Sequence, residues 1–164
     1  MFSLTACIAT SCVAAYWSGW LNGVRWPFTI LFFRATSISA NDGKWHHICT
    51  SWENNAGLWK FYKDGRVKKQ GGGLKTSHVI RSGGSLVLGI EQDPPGVFEP
   101  GQFFRGMMTN FNLWDHVLSA EEIEISSKSC LSGEGNVIKW TDLIRGRRGK
   151  TKLVIPSPCK SLNG

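Results

Sequence analysis

The feature that most constrains the fold is a strand-turn-strand pattern in the first half of the chain. Residues 58 to 63 alternate between two faces, and Asp64-Gly65 follows at once. Asp-Gly between two such runs is the strongest short-range signal for a β-hairpin, because both central residues of its tight turn need a positive φ. Residues 66 to 70 are therefore predicted to form the return strand, antiparallel to the first.

The rest of the chain repeats this pattern of short strands and turns. Ser119 followed by Glu122 matches a capping box, so one helix is predicted to begin there and to end near Lys128. These elements predict an all-β fold, an antiparallel jelly-roll or concanavalin-like β-sandwich with one short helix near residues 119–128. The other predicted strands are rich in β-branched and aromatic residues; they cover residues 28–33, 45–52, 85–90, 103–117 with a bend or bulge at Gly106, and 137–140.

An acidic stretch broken by prolines follows the strand that is predicted to end near Ile90. Because prolines fix φ and remove backbone donors, Leu88 to Gln102 is predicted to be an ordered loop rather than a helix. Several hard oxygen ligands on an irregular loop are what Ca²⁺ requires. The alternative is an acidic surface turn. The candidate metal ligands are Glu91, Gln92, Asp93, Glu99 and Gln102.

The net charge of +7 is unevenly distributed. Residues 1–90 carry +7, residues 91–144 carry −6 and residues 145–164 carry +6. An acidic centre between basic flanks favours a local cation site with a separate basic tail, over a surface built wholly for polyanions. The tail is either solvated or a contact for a polyanion such as glycosaminoglycan, a phospholipid surface or nucleic acid. Its cations are Arg145, Arg147, Arg148, Lys150 and Lys152.

The five cysteines leave at least one without an intrachain partner. None has the spacing to histidine or cysteine that is typical of zinc sites. Cys130 and Cys159 bracket a Gly-rich C-terminal stretch, so we expect them to form a disulfide that ties down the tail. Such a bond would place the domain in an oxidising compartment.

The first 22 residues carry no charge and are largely apolar and small. A secretory signal is one interpretation, although the usual basic start is missing. A membrane anchor is another, although polar residues interrupt the run. Both interpretations stay open at this point.

Residues 41 to 142 carry five motifs. They are His47-Ile-Cys-Thr-Ser-Trp52, the Phe61 to Arg66 hairpin, Leu88-Gly-Ile-Glu-Gln-Asp93, Asn112-Leu-Trp-Asp-His-Val-Leu-Ser119 and Asn136 to Trp140. The first is similar to the His-x-Cys-x-Ser/Thr-Trp signature of the pentraxin family, that of C-reactive protein and serum amyloid P component, and the order of all five resembles that family. The final Cys130 and Cys159 are similar to a pair in pentraxin modules of larger extracellular proteins.

The resemblance implies a calcium site in the acidic loop. In the family, one ion is held by residues that match Glu91, Asp93, Glu99 and Gln102, and a second ion also uses the carbonyl of Gln92 and an Asp-Asn pair from an earlier strand. By the family spacing that pair falls near residues 11–13, where this chain has no acid. We therefore expect weak, single-ion binding.

The resemblance also implies a partner for Cys49 about sixty residues upstream, farther than this chain extends. Cys7 or Cys12 could replace it. Residues 1–36 depart from the family pattern, so we expect the early strands to be missing, as in a truncated or mis-joined product. The expected domains are an atypical segment at 1–36, the C-terminal two-thirds of a pentraxin domain at 37–144, and a basic tail at 145–164.

Together these observations predict a secreted, lectin-like recognition module that is not an enzyme and binds phosphorylated or carbohydrate surface ligands through calcium. Homo-oligomers and a glycosaminoglycan contact by the tail are further expectations; specific nucleic-acid binding is not. The alternatives are a structural domain with a degenerate calcium site and a glycosidase-like sandwich.

His46 and His47 are predicted to be structural. Trp52, Trp114 and Trp140 are predicted to lie in the core.

Overall fold

A computed structural model describes residues 2–14, 17–21, 24–25, 38–40, 42–80, 85–92 and 98–159; for residues 9, 11–14, 17–21, 24–25, 85, 90–92 and 98–103 it describes the backbone alone. These residues form ten strands and two helices. The strands are β1 Ser3–Ala14, β2 Trp17–Leu21, β3 Val24–Arg25, β4 His46–Glu53, β5 Trp59–Lys63, β6 Arg66–Gly71, β7 Ser85–Leu88, β8 Ile90–Gln92, β9 Phe98–Phe103 and β10 Arg105–Trp114; the helices are α1 Ala120–Ser126 and α2 Trp140–Arg145.

The main sheet has five antiparallel strands in the order β10-β1-β4-β5-β6. β1 lies inside it, with Thr5 opposite both Trp114 and Ser51. The expectation that the early strands are missing is therefore wrong for Ser3–Ala14. The physical reason is that a strand covered on both faces carries no alternation of polar and apolar residues, so its uncharged sequence resembles a signal or an anchor.

The predicted hairpin is confirmed by β5 and β6. Asp64 and Gly65 form its turn with φ of 53° and 75°. The pairing of β1 with β10 shifts register beside Gly106, but the extra residue lies between Cys12 and Ala14 on β1 rather than at Gly106. The strand predicted at residues 28–33 lies outside the described residues.

The core lies between the main sheet and a second sheet of order β3-β2-β7. Leu86 and Leu88 of β7 pack against a buried cluster contributed by the main sheet. The cluster consists of Leu4, Ile8, Ile48, Phe61, Phe111 and Leu113. Two facing antiparallel sheets with an apolar layer between them are a β-sandwich, as predicted.

Helix α1 covers the opposite face of the main sheet. Its capping box is complete: Glu122 N–H donates to Ser119 Oγ at 3.1 Å, and Ser119 N–H donates to the Glu122 carboxylate at 2.8 Å. Ile123 is fully buried and packs with Cys7, Cys49 and Tyr62 of the sheet. The helix thus closes a second apolar layer.

The strand predicted at residues 137–140 is wrong. Only Ile138 bridges to Leu113, and Trp140 already begins α2. The segment has three apolar residues, Val137, Ile138 and Trp140, interrupted by Lys139. The run is too short to distinguish a strand from the start of a helix. Trp140 and Leu143 pack partly buried against the core, while Trp52 and Trp114 are buried as predicted.

Two disulfides are formed. Cys130 bonds to Cys159, as predicted, and Cys7 bonds to Cys49, which resolves the choice between Cys7 and Cys12. Cys7 and Cys49 are directly opposite each other on β1 and β4. Their separation is 42 residues rather than about sixty. Within the described residues, no helix has the length and apolar character needed to cross a membrane.

Candidate functional site

The acidic stretch is less irregular than predicted. Instead of a loop from Ile90 onward, β8 and β9 form an antiparallel pair, with Ile90 opposite Phe103 and Gln92 opposite Phe98. The prolines are compatible with this pair, because it has two strands with one register shift, and edge strands tolerate a missing donor. Phe104 N–H donates to Gly89 C=O at 2.6 Å and closes the base of the pair.

The pairing brings two parts of the predicted calcium site to one place in the backbone. Glu91 and Gln92 lie on β8, and Glu99 and Gln102 lie on the stretch of β9 that faces it. Asp93 lies outside the described residues. Four of the five candidate ligands thus belong to one short two-stranded unit, and Asp93 is the next residue in the sequence after β8.

A second polar cluster, centred on His46, was missed by the sequence interpretation, which found no acid partner for this residue. Its Nδ1 lies 2.9 Å from Asp64 Oδ2, and its Nε2 lies 2.9 Å from Asp42 Oδ1. Each carboxylate accepts from whichever ring nitrogen beside it carries a hydrogen. Asp64 Oδ1 also accepts from His47 N–H at 3.0 Å, which ties the hairpin turn to β4. The cluster is structural, as predicted for His46.

The same cluster affects Asp42. Its carboxylate accepts from Lys44 N–H at 3.0 Å, and this bond, followed by the one to His46, holds the pKa of Asp42 below its ordinary value. The sequence does contain two Asp-Gly pairs, Asp42-Gly43 before β4 and Asp64-Gly65 after β5. Their carboxylates meet at His46 only because β4 and β5 pair in the sheet, so the distance between them in sequence did not reveal the cluster.

His47 lies under α1 and is 2% exposed. Its ring nitrogens are 3.6 and 3.7 Å from Cys49 Sγ, and Nε2 is 3.3 Å from Ser126 Oγ. Burial lowers the pKa of His47 to about 4, and Asp64 opposes this effect only partly. His47 is therefore neutral at physiological pH and has a packing role, as predicted.

Cys7, His47 and Cys49 bring their ligand atoms within 4.8 Å of one another. Both sulfurs form the disulfide, however, and metals bind the thiolate. This group is therefore not a metal site in the oxidised protein.

The basic tail begins at the end of α2. Every residue from 145 to 158 is exposed, and Cys159 is buried again. All five predicted cations lie in this segment and outside the β8–β9 unit. The two predicted sites are therefore carried by different segments.

The family model described as Pentaxin family matches residues 31–154. The Rattus norvegicus protein "Sushi, von Willebrand factor type A, EGF and pentraxin domain-containing protein 1" is 41% identical over 133 residues, which are 77% of this chain and 4% of that protein. Neuronal pentraxin-2 of Homo sapiens is 43% identical over 106 residues, 64% of this chain and 25% of that protein. The chain thus spans only a small part of these relatives.

A solved structure, the native heptameric SAP-like pentraxin from Limulus polyphemus, is similar with a TM-score of 0.67 at 20% sequence identity. The similarity covers 85% of this chain and 76% of that one. At this identity it shows the fold alone. The fold is the antiparallel jelly-roll β-sandwich predicted from the sequence.

Proposed function

Because the chain belongs to the pentraxin family, we propose that it is the calcium-dependent recognition module of an extracellular protein, not an enzyme. Its ligands are phosphorylated or carbohydrate groups on surfaces, bound through calcium that the β8–β9 unit holds. Two buried disulfides support the extracellular assignment, because such bonds persist in oxidising compartments.

The observation that carries the proposal is the pairing of β8 with β9. It places the stretch holding Glu91 and Gln92 opposite the stretch holding Glu99 and Gln102. Together with Asp93, these residues offer three carboxylates and two amide oxygens, the hard oxygen donors that fit Ca²⁺. When bound, the ion would supply the positive charge that bridges the protein to anionic oxygens of a ligand.

We propose that a single ion binds, because the chain has too few acids between Cys7 and Cys49 to hold a second one. The bonded cysteines are 42 residues apart rather than about sixty, so a count back from the His-x-Cys signature does not fix the position of an Asp-Asn pair between them. Between Cys7 and Cys49, however, the sequence contains one acid, Asp42. Oδ1 of that carboxylate accepts from Lys44 N–H and lies 2.9 Å from His46 Nε2, and Asp42 is followed by Gly43 rather than by the asparagine of the family pair.

Calorimetric titration of the full chain with calcium tests the proposal. We expect saturable binding of one ion with the weak affinity of extracellular modules, and its loss in Glu91→Ala and Asp93→Ala. Glu121→Ala is the matched control, since Glu121 is exposed on α1, outside the β8–β9 unit. Absence of heat at millimolar calcium would contradict calcium binding and favour a structural domain with a degenerate site.

Assembly into homo-oligomers is a further part of the proposal. The Limulus protein is described as heptameric, and this chain shares its fold. Light scattering during size-exclusion chromatography measures the mass of the particle. A mass equal to one chain would contradict the assembly, while leaving the calcium proposal intact.

The glycosidase alternative has a separate test. Hydrolysis of model glycosides by the full chain, lost in Glu99→Gln, would support it. We expect no turnover, because glycosidases place two carboxylates on either side of the scissile bond, and the acids predicted here share one short unit.

A further inference from the structure

The segment from Arg145 to Pro158, called the C-terminal segment below, is exposed along its whole length. Both of its ends are nevertheless fixed. At one end, α2 packs Trp140 and Leu143 against the core. At the other end, Cys159 is 5% exposed and bonded to Cys130, with Trp45 packed against the pair. The segment is therefore a closed loop held on the surface, not a free end.

Every charged side chain of this segment is positive. It holds five cations and no acid, and the sequence contains no acid after Asp142. Within the described part of the chain, none of these cations forms an ion pair; Arg147 donates to Ile144 C=O at 2.6 Å. The cations are Arg145, Arg147, Arg148, Lys150 and Lys152.

Three aliphatic residues follow the cations directly. Leu153, Val154 and Ile155 are 47%, 53% and 79% exposed. Single exposed aliphatic residues are ordinary, but three in succession leave apolar area in water that burial would stabilise. Cations beside exposed aliphatic side chains are the composition of segments that bind the interface of an anionic bilayer. A sulfated polysaccharide would engage the cations and gain nothing from the aliphatic residues.

We propose that the C-terminal segment binds anionic phospholipid membranes, with its cations at the headgroups and Leu153, Val154 and Ile155 at the boundary of the acyl chains. This function is independent of calcium and of the β8–β9 unit. It narrows the polyanion contact expected from the sequence to one class of partner.

Sedimentation of the full chain with lipid vesicles tests the proposal, in EDTA so that the proposed calcium site does not contribute. We expect binding to vesicles of phosphatidylcholine with phosphatidylserine, weakened by salt, and little binding to phosphatidylcholine alone. Each cation near such a surface strengthens binding about five-fold. The triple variant Arg147→Gln/Arg148→Gln/Lys150→Gln should therefore lower the affinity on the order of a hundred-fold.

The matched control for charge is Lys60→Gln/Arg66→Gln/Lys68→Gln. These three cations are exposed on the β5–β6 hairpin, so the net charge changes equally. We expect this variant to retain most of the affinity. A loss as large as that of the segment variant would mean that net charge alone drives binding, and would overturn the proposal.

The second variant removes the apolar part: Leu153→Ser/Val154→Ser/Ile155→Ser. We expect about a ten-fold loss of vesicle affinity and unchanged retention on immobilised heparin. Leu58→Ser/Val117→Ser/Ile125→Ser, at residues that are 54%, 43% and 58% exposed, is its control. If the aliphatic triple variant leaves the vesicle affinity unchanged, the cations would be assigned to a sulfated polysaccharide and the proposal would be overturned. Binding to phosphatidylcholine vesicles as tight as to those with phosphatidylserine would also overturn it.

Discussion

One disulfide lies in the sheet face under α1, and another holds the end of the C-terminal segment. The two bonds differ in what surrounds them, a packed layer of the sheet in one case and an exposed segment in the other. Cys7 and Cys49 join strands that are already paired, inside a layer closed by Ile123. Cys130 and Cys159 are buried too, but they hold a segment whose other residues face water. By chain entropy alone the two bonds should contribute about equally, because the sequence separations, 42 and 29 residues, are similar. Because their surroundings differ, we expect the Cys7–Cys49 bond to contribute more to the free energy of unfolding than the Cys130–Cys159 bond.

Removing the first disulfide should have the largest effect. Cys7→Ala/Cys49→Ala removes a loop constraint of about 4 kcal/mol and loosens the packing under α1. We expect the free energy of unfolding to fall by about this amount, measured by urea unfolding followed by tryptophan fluorescence. A decrease below about 1 kcal/mol would mean that strand pairing already supplies the constraint.

Protonation of His47 should come next. Its pKa is about 4 when folded against an ordinary value of 6.5, because burial disfavours the charged form. Between these pH values the unfolded chain binds more protons, so stability is complete above pH 6.5 and declines as the pH falls toward 4. The full loss is about 3 kcal/mol.

Urea unfolding across this pH range measures the loss. His47→Leu should flatten the profile over the interval, whereas His116→Gln, at an exposed histidine, should leave it unchanged. An unaltered slope in His47→Leu would show that other groups cause the acid sensitivity.

Removing the second disulfide should affect the global free energy of unfolding less. In Cys130→Ala/Cys159→Ala we expect a decrease of about 1 to 2 kcal/mol, because an exposed segment can open without unfolding the sheet. Limited proteolysis should instead become much faster between residues 145 and 158. A global loss equal to that of the first pair would show that chain entropy outweighs the surroundings of the bond.

The smallest effect is expected for the cap of α1, the helix that covers the Cys7–Cys49 disulfide. Ser119→Ala removes one half of the capping box and should lower stability by about 1 kcal/mol. Thr76→Ala, at an exposed residue outside α1, is the control. If Ser119→Ala has no effect, packing of Ile123 fixes α1 without the cap.

Local chemistry determined what could be predicted from the sequence. The Asp64-Gly65 turn and the Ser119 capping box depend on residues close in sequence, and both are confirmed. β1 was missed because it is covered on both faces and lacks the alternation that identifies a strand. The bonds of His46 to Asp42 and Asp64 depend on two separate turns meeting beside β4.

For the proposed calcium site, composition and family motifs gave the candidate ligands but not the arrangement of the strands that carry them. Pairing of β8 with β9 could not be derived, because prolines and glycines obscure the strand pattern there. A solvated basic tail was one of the two interpretations of the sequence, and residues 145–158 are exposed. Charge indicated a basic tail, but only tertiary packing shows that both ends are fixed and that three aliphatic residues remain in water.

The central position of β1 has a consequence for how the chain acquires its structure. Thr5 pairs with Trp114, so this strand can be placed only after residues more than a hundred positions later have been synthesised. Until then an uncharged strand with two open edges is exposed on the nascent chain, the kind of segment that promotes aggregation. Because contacts of such long range form slowly, we expect the burial of β1 between β4 and β10 to be a late step in the folding of this domain.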